Sequence, residues 1–295
     1  MTSAKGLHRV NGSVISHKAM VVALMRAQIT GLRYAPQIAN LCGANDLVHG
    51  PFGDRISTMV SLFACLTEIQ TGAVDFIVSA IRKQSGITNI LELEADLSPR
   101  GMIASDDDDG LFYTETHSGQ MAMRKREIAR GAMCLESLPA NLQILMLDAT
   151  SGQNFRSLSK CFFDSPVLIL TSGLLADLRD DQKLAVVRNI HALLCINGGA
   201  WVATDIAFTS LVCHVHINMV IRECLEALVQ HTGGKIINTR TETKAQTLNF
   251  LQGEGFSVQS YDQLELVREP KLQITDIARP FIEGRELWVM HPRSR

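Results

Sequence analysis

From residue 89 to residue 204 the chain alternates short apolar runs with amphipathic segments, and this alternation limits the possible folds more than any other feature. The runs at 90–93, 111–114, 142–147, 167–170 and 200–204 have the length and continuity of strands buried on both faces. Between them, residues 121–133, 155–162 and 181–194 carry apolar side chains at helical spacing. Parallel strands need long crossovers, so strand and helix in alternation predict a parallel sheet covered by helices. A short helix at 244–251 and Gly255 precede two further strand-like segments, 256–261 and 286–290, which suit an antiparallel pair closing the sheet edge.

The front of the chain reads as helical. Met20, Val21, Leu24 and Met25 recur at helical spacing within 15–28, and Pro36 suits the first turn of a second helix. After the punctuation of His49-Gly50-Pro51-Phe52-Gly53, a longer periodic stretch covers 56–81. Residues 1–85 are therefore expected to form a helical extension or lid on an α/β unit of residues 86–295, the whole making one compact unit. A helix-like stretch after Asp205 reaches Gln230 and is followed by a turn at Gly233-Gly234.

With 46% hydrophobic and 20% charged residues, the chain can bury a large core. Its 28 basic and 30 acidic side chains nearly cancel, which argues against nucleic acid and anionic membrane as partners. The seven cysteines include no C-x-x-C pair, a pattern of a reducing, cytoplasmic location. No signal peptide is read at the amino terminus, and Arg26, Arg55, Glu68 and Arg222 interrupt the candidate membrane-spanning windows.

The segment from Ile90 through Glu92, Glu94, Asp96 and Pro99 to Gly101 heads an ordered series of motifs. It is followed by Tyr113-Thr114-Glu115-Thr116, Lys125-Arg126-Glu127, Leu147-Asp148-Ala149, Gly173-Leu174-Leu175, Asn189-Ile190, Leu193-Leu194, Gly198-Gly199-Ala200-Trp201 and Asp205-Ile206. Before it stand Leu24-Met25-Arg26-Ala27, Tyr34-Ala35 and Ile38-Ala39. In order and spacing, over residues 13–262, the series resembles the leucine carboxyl methyltransferase family of S-adenosylmethionine (SAM)-dependent O-methyltransferases. That resemblance implies an α/β, class I SAM methyltransferase (Rossmann-like) fold: a mixed, mostly parallel seven-stranded sheet with an N-terminal helical lid.

It also implies a cofactor site. The first loop of the fold must bring backbone close to SAM, which favours residues without a side chain. Here the loop is Glu94-Ala95-Asp96, with Asp96 at the family's usual glycine. Two acids there would repel the carboxylate of SAM, at a cost of about 1 to 4 kcal/mol for one close pair. His117 matches the acid that binds the ribose, and Glu115, on the same strand face, is its candidate substitute. Asp148 matches the acid near the adenine amino group, and Ala149 offers its backbone there. Ser172 stands where the family has a glutamate facing the cofactor, and Asp177 where it has a tyrosine.

Candidate substrate residues are Arg26 and Tyr34 on the lid, whose guanidinium and phenol suit an acidic or hydroxylated compound, with Arg100 and Asp177. Arg100 either holds a carboxylate or braces its loop. The acidic run 106–109 lacks the spaced ligands of a calcium loop and reads as a solvated turn. His214 and His216, two apart on a helical stretch, face opposite sides, so no metal site is expected. Met20, Met25 and Met59 read as packing residues.

The family reading is a small-molecule O-methyltransferase acting on a carboxylate or hydroxyl, as in secondary metabolism. Two rivals keep the fold. One is a non-methylating enzyme of cyclase, lyase or isomerase type with His117 and Glu94 as acid and base. The other is a non-catalytic protein that acts by association with a copy of itself or another protein.

Overall fold

Each apolar run becomes a strand of one sheet. The computed structural model describes residues 7–10, 13–50, 53–162, 165–206, 243–267 and 269–293. A small hairpin, β1 (Leu7–Val10) and β2 (Ser13–Ser16), leads into α1 (His17–Ala27). The Ser16 hydroxyl accepts from the Ala19 amide at 3.1 Å, so this cap starts the helix at His17, two residues later than the periodicity suggests. Then come α2 (Ala35–Leu41), α3 (Asn45–Val48) and the long α4 (Gly53–Ser85).

The strands are β3 (Asn89–Leu93), β4 (Phe112–His117), β5 (Leu142–Met146), β6 (Val167–Thr171) and β7 (Gly199–Ala203), followed by β8 (Phe256–Asp262) and β9 (Glu286–Pro292). Helices α5 (Arg100–Asp107), α6 (Met121–Met133), α7 (Gly152–Ser159), α8 (Leu174–Asp177) and α9 (Asp180–Asn197) connect them, and α10 (Lys244–Gly253), α11 (Gln263–Leu266) and α12 (Arg279–Ile282) follow. The strand order is β5-β4-β3-β6-β7-β9-β8. Only β9 runs antiparallel to its neighbours, β7 and β8, so the sheet closes on the expected antiparallel pair. This is the mixed, mostly parallel seven-stranded α/β architecture of class I SAM methyltransferases.

Strand alternation divides the core in two. Ile90, Leu168 and Val202 face a cluster shared with Met20, Leu24, Ala73, Val74 and Ile77 of α1 and α4. Leu91, Ile169, Trp201 and Trp288 face Phe155, Val186 and Ile190 on the other side. The first cluster runs without a break from residues before 85 to residues after it. By length and composition α4 could cross a membrane, yet half of its most apolar window is buried inside the protein. Near its middle, the Glu68 carboxylate accepts from the Lys271 and Leu272 amides at 3.1 and 2.8 Å, tying the β8–β9 connection to the helix. Gly199, at φ +108°, is pressed so closely on the Val167 carbonyl that a Cβ would overlap it.

One expectation changes. The second main strand does not stop at residue 114 but runs to His117, which brings Glu115 and His117 into the sheet and buries both. The acidic run keeps its solvent exposure: Asp106, Asp107 and Asp109 are exposed where α5 ends, with Asp106 and Asp107 pairing with Arg33 at 2.8 and 2.5 Å and Asp108 with Arg82 at 2.7 Å. Met20, Met25 and Met59 are core residues as expected. The helix-like stretch to Gln230, Gly233-Gly234, His214 and His216 lie outside the described residues.

Candidate functional site

The strand order reverses between β3 and β6, and ligands of open α/β sheets bind at the carboxyl ends of the strands beside such a reversal. The loop leaving β3 stands there. Both Glu94 and Asp96 have φ +49°, in the left-handed region that glycine enters without steric cost. The bend is retained without glycine because its polar groups are held from two sides. From β4, the Thr116 carbonyl accepts from the Ala95 amide at 3.3 Å. From α6, the Lys125 ammonium donates to the Asp96 and Ser98 carbonyls at 3.2 and 2.5 Å.

Lys125 is fully buried, and its third partner is the Glu115 carboxylate at 3.1 Å. His117 Nε2 lies 3.4 Å from the same carboxylate. Burial alone would raise the Glu115 carboxyl, but Lys125 and His117 outweigh it and hold the group below its ordinary value. Glu115 Oε1 and His117 Nδ1 are buried without a hydrogen-bond partner among the described residues. Gly101 opens this corner: a Cβ there would overlap Glu115 and come within 3.0 Å of the Tyr113 ring. Both predicted ribose ligands therefore sit inside the protein, Glu115 on Lys125 and His117 beside Glu115, rather than at a surface.

Glu94 is half-buried, with the Ser118 hydroxyl 3.5 Å from its carboxylate. Burial raises its carboxyl above the ordinary value, and neighbouring Asp96 adds to the rise. Asp148 is exposed after β5, its Oδ1 accepting from the Thr150 amide and hydroxyl at 2.9 and 2.7 Å, while Ala149 is buried with its carbonyl bound by Asn189 at 3.1 Å. At the ends of β6 and β7, the Gln70 amide donates to Ser172 and Thr204 at 2.8 and 2.7 Å. Asp205 accepts from Thr171, Gly173 and Leu175 and so fixes the start of α8, and burial pushes its carboxyl up.

Of the four candidate substrate residues, Arg26 and Arg100 share a pocket, while Tyr34 and Asp177 lie elsewhere. Arg100 braces: its guanidinium donates to Glu92 at 2.8 Å and Asp75 at 2.9 Å. Those carboxylates outweigh burial and raise its pKa. Tyr34 donates to Asp106 at 2.9 Å, and Asp177 pairs with Lys18 at 2.6 Å. Arg26 lines a pocket with Arg100 and lies within electrostatic reach of Glu92, Asp96 and Glu115. Among the described residues, no group of three His, Cys, Asp or Glu side chains could hold a metal ion.

Sequence reasoning quoted Lys125 only as part of a motif and missed its role, together with Gln70 and Thr204. The signal for Lys125 was present: with Ala122, Ile128 and Ala132 it falls on the buried stripe of α6, where a lysine needs a partner.

The architecture has solved counterparts. A protein of Thermobifida fusca YX assigned as a methyltransferase is 12% identical, with 94% of each chain covered and a TM-score of 0.52. An O-methyltransferase family protein of Burkholderia thailandensis is 9% identical over 98% of this chain and 80% of its own, at a TM-score of 0.49. Mitomycin 7-O-methyltransferase MmcR is 17% identical over 92% of this chain and 70% of its own, at 0.44. No protein-family model and no curated protein matches the sequence. At such identities the first likeness establishes the fold, and function must be argued from the site.

Proposed function

We propose that this chain is a SAM-dependent O-methyltransferase acting on a carboxylate or hydroxyl of a small molecule, allied to the leucine carboxyl methyltransferases and serving secondary metabolism. One observation carries the reading: at the reversal of strand order, Glu94 and Asp96 make the left-handed bend that glycine ordinarily supplies. The backbone shape needed for close approach to a cofactor thus survives the change of side chains.

The acids of this loop fit the zwitterionic end of SAM. A carboxylate at Asp96 suits the α-ammonium, and burial, which raises the Glu94 carboxyl above its ordinary value, lessens its repulsion of the α-carboxylate as pH falls. Asp148 Oδ2 is open to the adenine amino group, and the Ala149 backbone lies beside it. When bound, the cofactor supplies an electrophilic methyl group. The protein's part is to align the acceptor oxygen and exclude water. A carboxylate acceptor needs no base, which suits a site where His117 is enclosed and only Glu94 of the two proposed bases lies at the loop.

A second reading, a repurposed or non-catalytic methyltransferase-fold protein, is favoured by one feature: Glu115, paired with Lys125, and His117 are both fully buried, leaving the ribose without its usual carboxylate. Calorimetric titration with SAM and S-adenosylhomocysteine at pH 5.5 and 7.5 separates the two. Saturable binding, tighter at pH 5.5 for both ligands, is expected, and ligand at 100 times its Kd should add about 2.7 kcal/mol of stability. Absence of heat with either ligand at both pH values removes the first reading.

A further inference from the structure

Three neutral side chains meet at the ends of β6 and β7. Gln70 of α4 donates its amide to the Ser172 hydroxyl at 2.8 Å and to the Thr204 hydroxyl at 2.7 Å, and Thr204 in turn donates to Ser172 at 3.3 Å. The amide nitrogen has two protons, and both are spent here. A serine hydroxyl offers two lone pairs and one proton. Both lone pairs of Ser172 are taken, by Gln70 and by Thr204, so its remaining capacity is to donate. That proton has no acceptor among the described residues, and Ser172 is half-buried rather than enclosed.

The place of this donor in the sheet gives it a role. In the parallel register of β3 and β6, Thr171 lies opposite Leu93, so Ser172 and Glu94 leave the sheet side by side at the reversal of strand order. A ligand bound at the Glu94–Asp96 loop has Ser172 on its flank. Lys125, the cation beneath this loop, already has the Glu115 carboxylate and the Asp96 and Ser98 carbonyls as acceptors. An anionic group entering here is therefore met by a neutral hydroxyl donor, while that ammonium stays committed to the protein.

We infer that Gln70 is a positioning residue of the cofactor site, which turns Ser172 into a donor for the α-carboxylate of SAM. The inference rests on the methyltransferase reading and deepens it, because Gln70 acts from the helical extension, on α4, through a residue of the sheet. An acceptor-only group at position 70 would reverse the set: Ser172 and Thr204 would both turn their protons toward it, and Ser172 would be lost to the ligand.

Calorimetric titration of the whole chain at pH 7.5 with S-adenosylhomocysteine and with 5′-methylthioadenosine, which keeps the nucleoside and sulfur but lacks the amino-acid end, tests it. Ser172→Ala and Gln70→Glu should each bind S-adenosylhomocysteine about tenfold or more weakly and 5′-methylthioadenosine as the unmodified chain does, since what is removed is a hydrogen bond to a charged group. Ser172→Ala/Gln70→Glu should bind no more weakly than Ser172→Ala, because Gln70 acts through Ser172. Equal weakening of both ligands, unchanged S-adenosylhomocysteine affinity in either single variant, or a further drop in the double one overturns the inference and leaves the methyltransferase reading standing. An unmodified chain that binds neither ligand overturns both. Should Gln70→Glu fail to fold, Ser172→Ala, the loss of one hydroxyl, decides by the same comparison of ligands.

Discussion

Replacing Lys125 by methionine removes an ammonium that joins the loop to the sheet. Its three acceptors are the Glu115 carboxylate at 3.1 Å and the carbonyls of Asp96 and Ser98, and Lys125 and Glu115 are both fully buried. The variant leaves Glu115 as a buried charge without its cation, a change that costs about 3 to 5 kcal/mol. The two freed carbonyls add to this, so the loss is a large part of the roughly 5 to 15 kcal/mol that holds a domain together. Lys125→Met/Glu115→Leu removes both charges and should recover most of the loss, because a buried pair and its apolar replacement are often close in stability. Urea unfolding measures both, read as a shift of midpoint at constant slope. Amide exchange at Ala95 and Ser98 reports the loop directly. A loss under about 1 kcal/mol, or a double variant no better than the single one, refutes the reasoning.

Glu94 and Glu115 act oppositely on pH dependence. Glu115, held low in the folded state, contributes stability above its unfolded pKa that is lost as pH falls through its folded value, so Lys125→Met/Glu115→Leu should lose less than the unmodified chain on acidification. Glu94, held high, favours the folded state below its unfolded pKa and loses that contribution as pH rises through the folded value; Glu94→Gln is expected to gain stability at pH 7 but not at pH 4, by urea midpoints, and to flatten the pH dependence of S-adenosylhomocysteine binding. Glu68→Ala deprives the Lys271 and Leu272 amides of their acceptor and should cost about 1 to 3 kcal/mol, with amide exchange accelerated first at those two positions. At Asp96, φ +49° predicts that Gly is tolerated within about 1 kcal/mol, whereas branched Val costs about 1 to 2 kcal/mol more; equal melting temperatures for the two would deny the left-handed bend.

The sheet was readable because its signal is local. Continuous apolar runs such as Val167–Thr171 exist only where both faces are covered, so strand positions and parallel topology follow from neighbours in sequence. The end of β4 was not readable in this way. Thr114 to His117 is a polar string, and it continues the strand because Lys125, eight residues beyond, supplies the counter-charge for Glu115. The same holds for Arg100: its sequence neighbours leave brace and ligand equally open, and only Asp75 on α4 and Glu92 on β3 decide for the brace. Long-range charge pairing has no periodicity, so these roles were hidden although every residue was in view.

Glu94, Asp96 and His117 belong to one physical unit. A loop that bends twice into the left-handed region without glycine needs external support, and Lys125 provides it by holding two of the loop's carbonyls. A buried lysine needs a buried carboxylate, which Glu115 supplies, and His117 lies at 3.4 Å from that carboxylate. Placing glycine at 96 alone would leave the lysine, the glutamate and the histidine unchanged beneath it. Changing Lys125 instead should loosen Ala95 and Ser98 together, so the side chain that controls the shape of the crevice lies under it rather than in it.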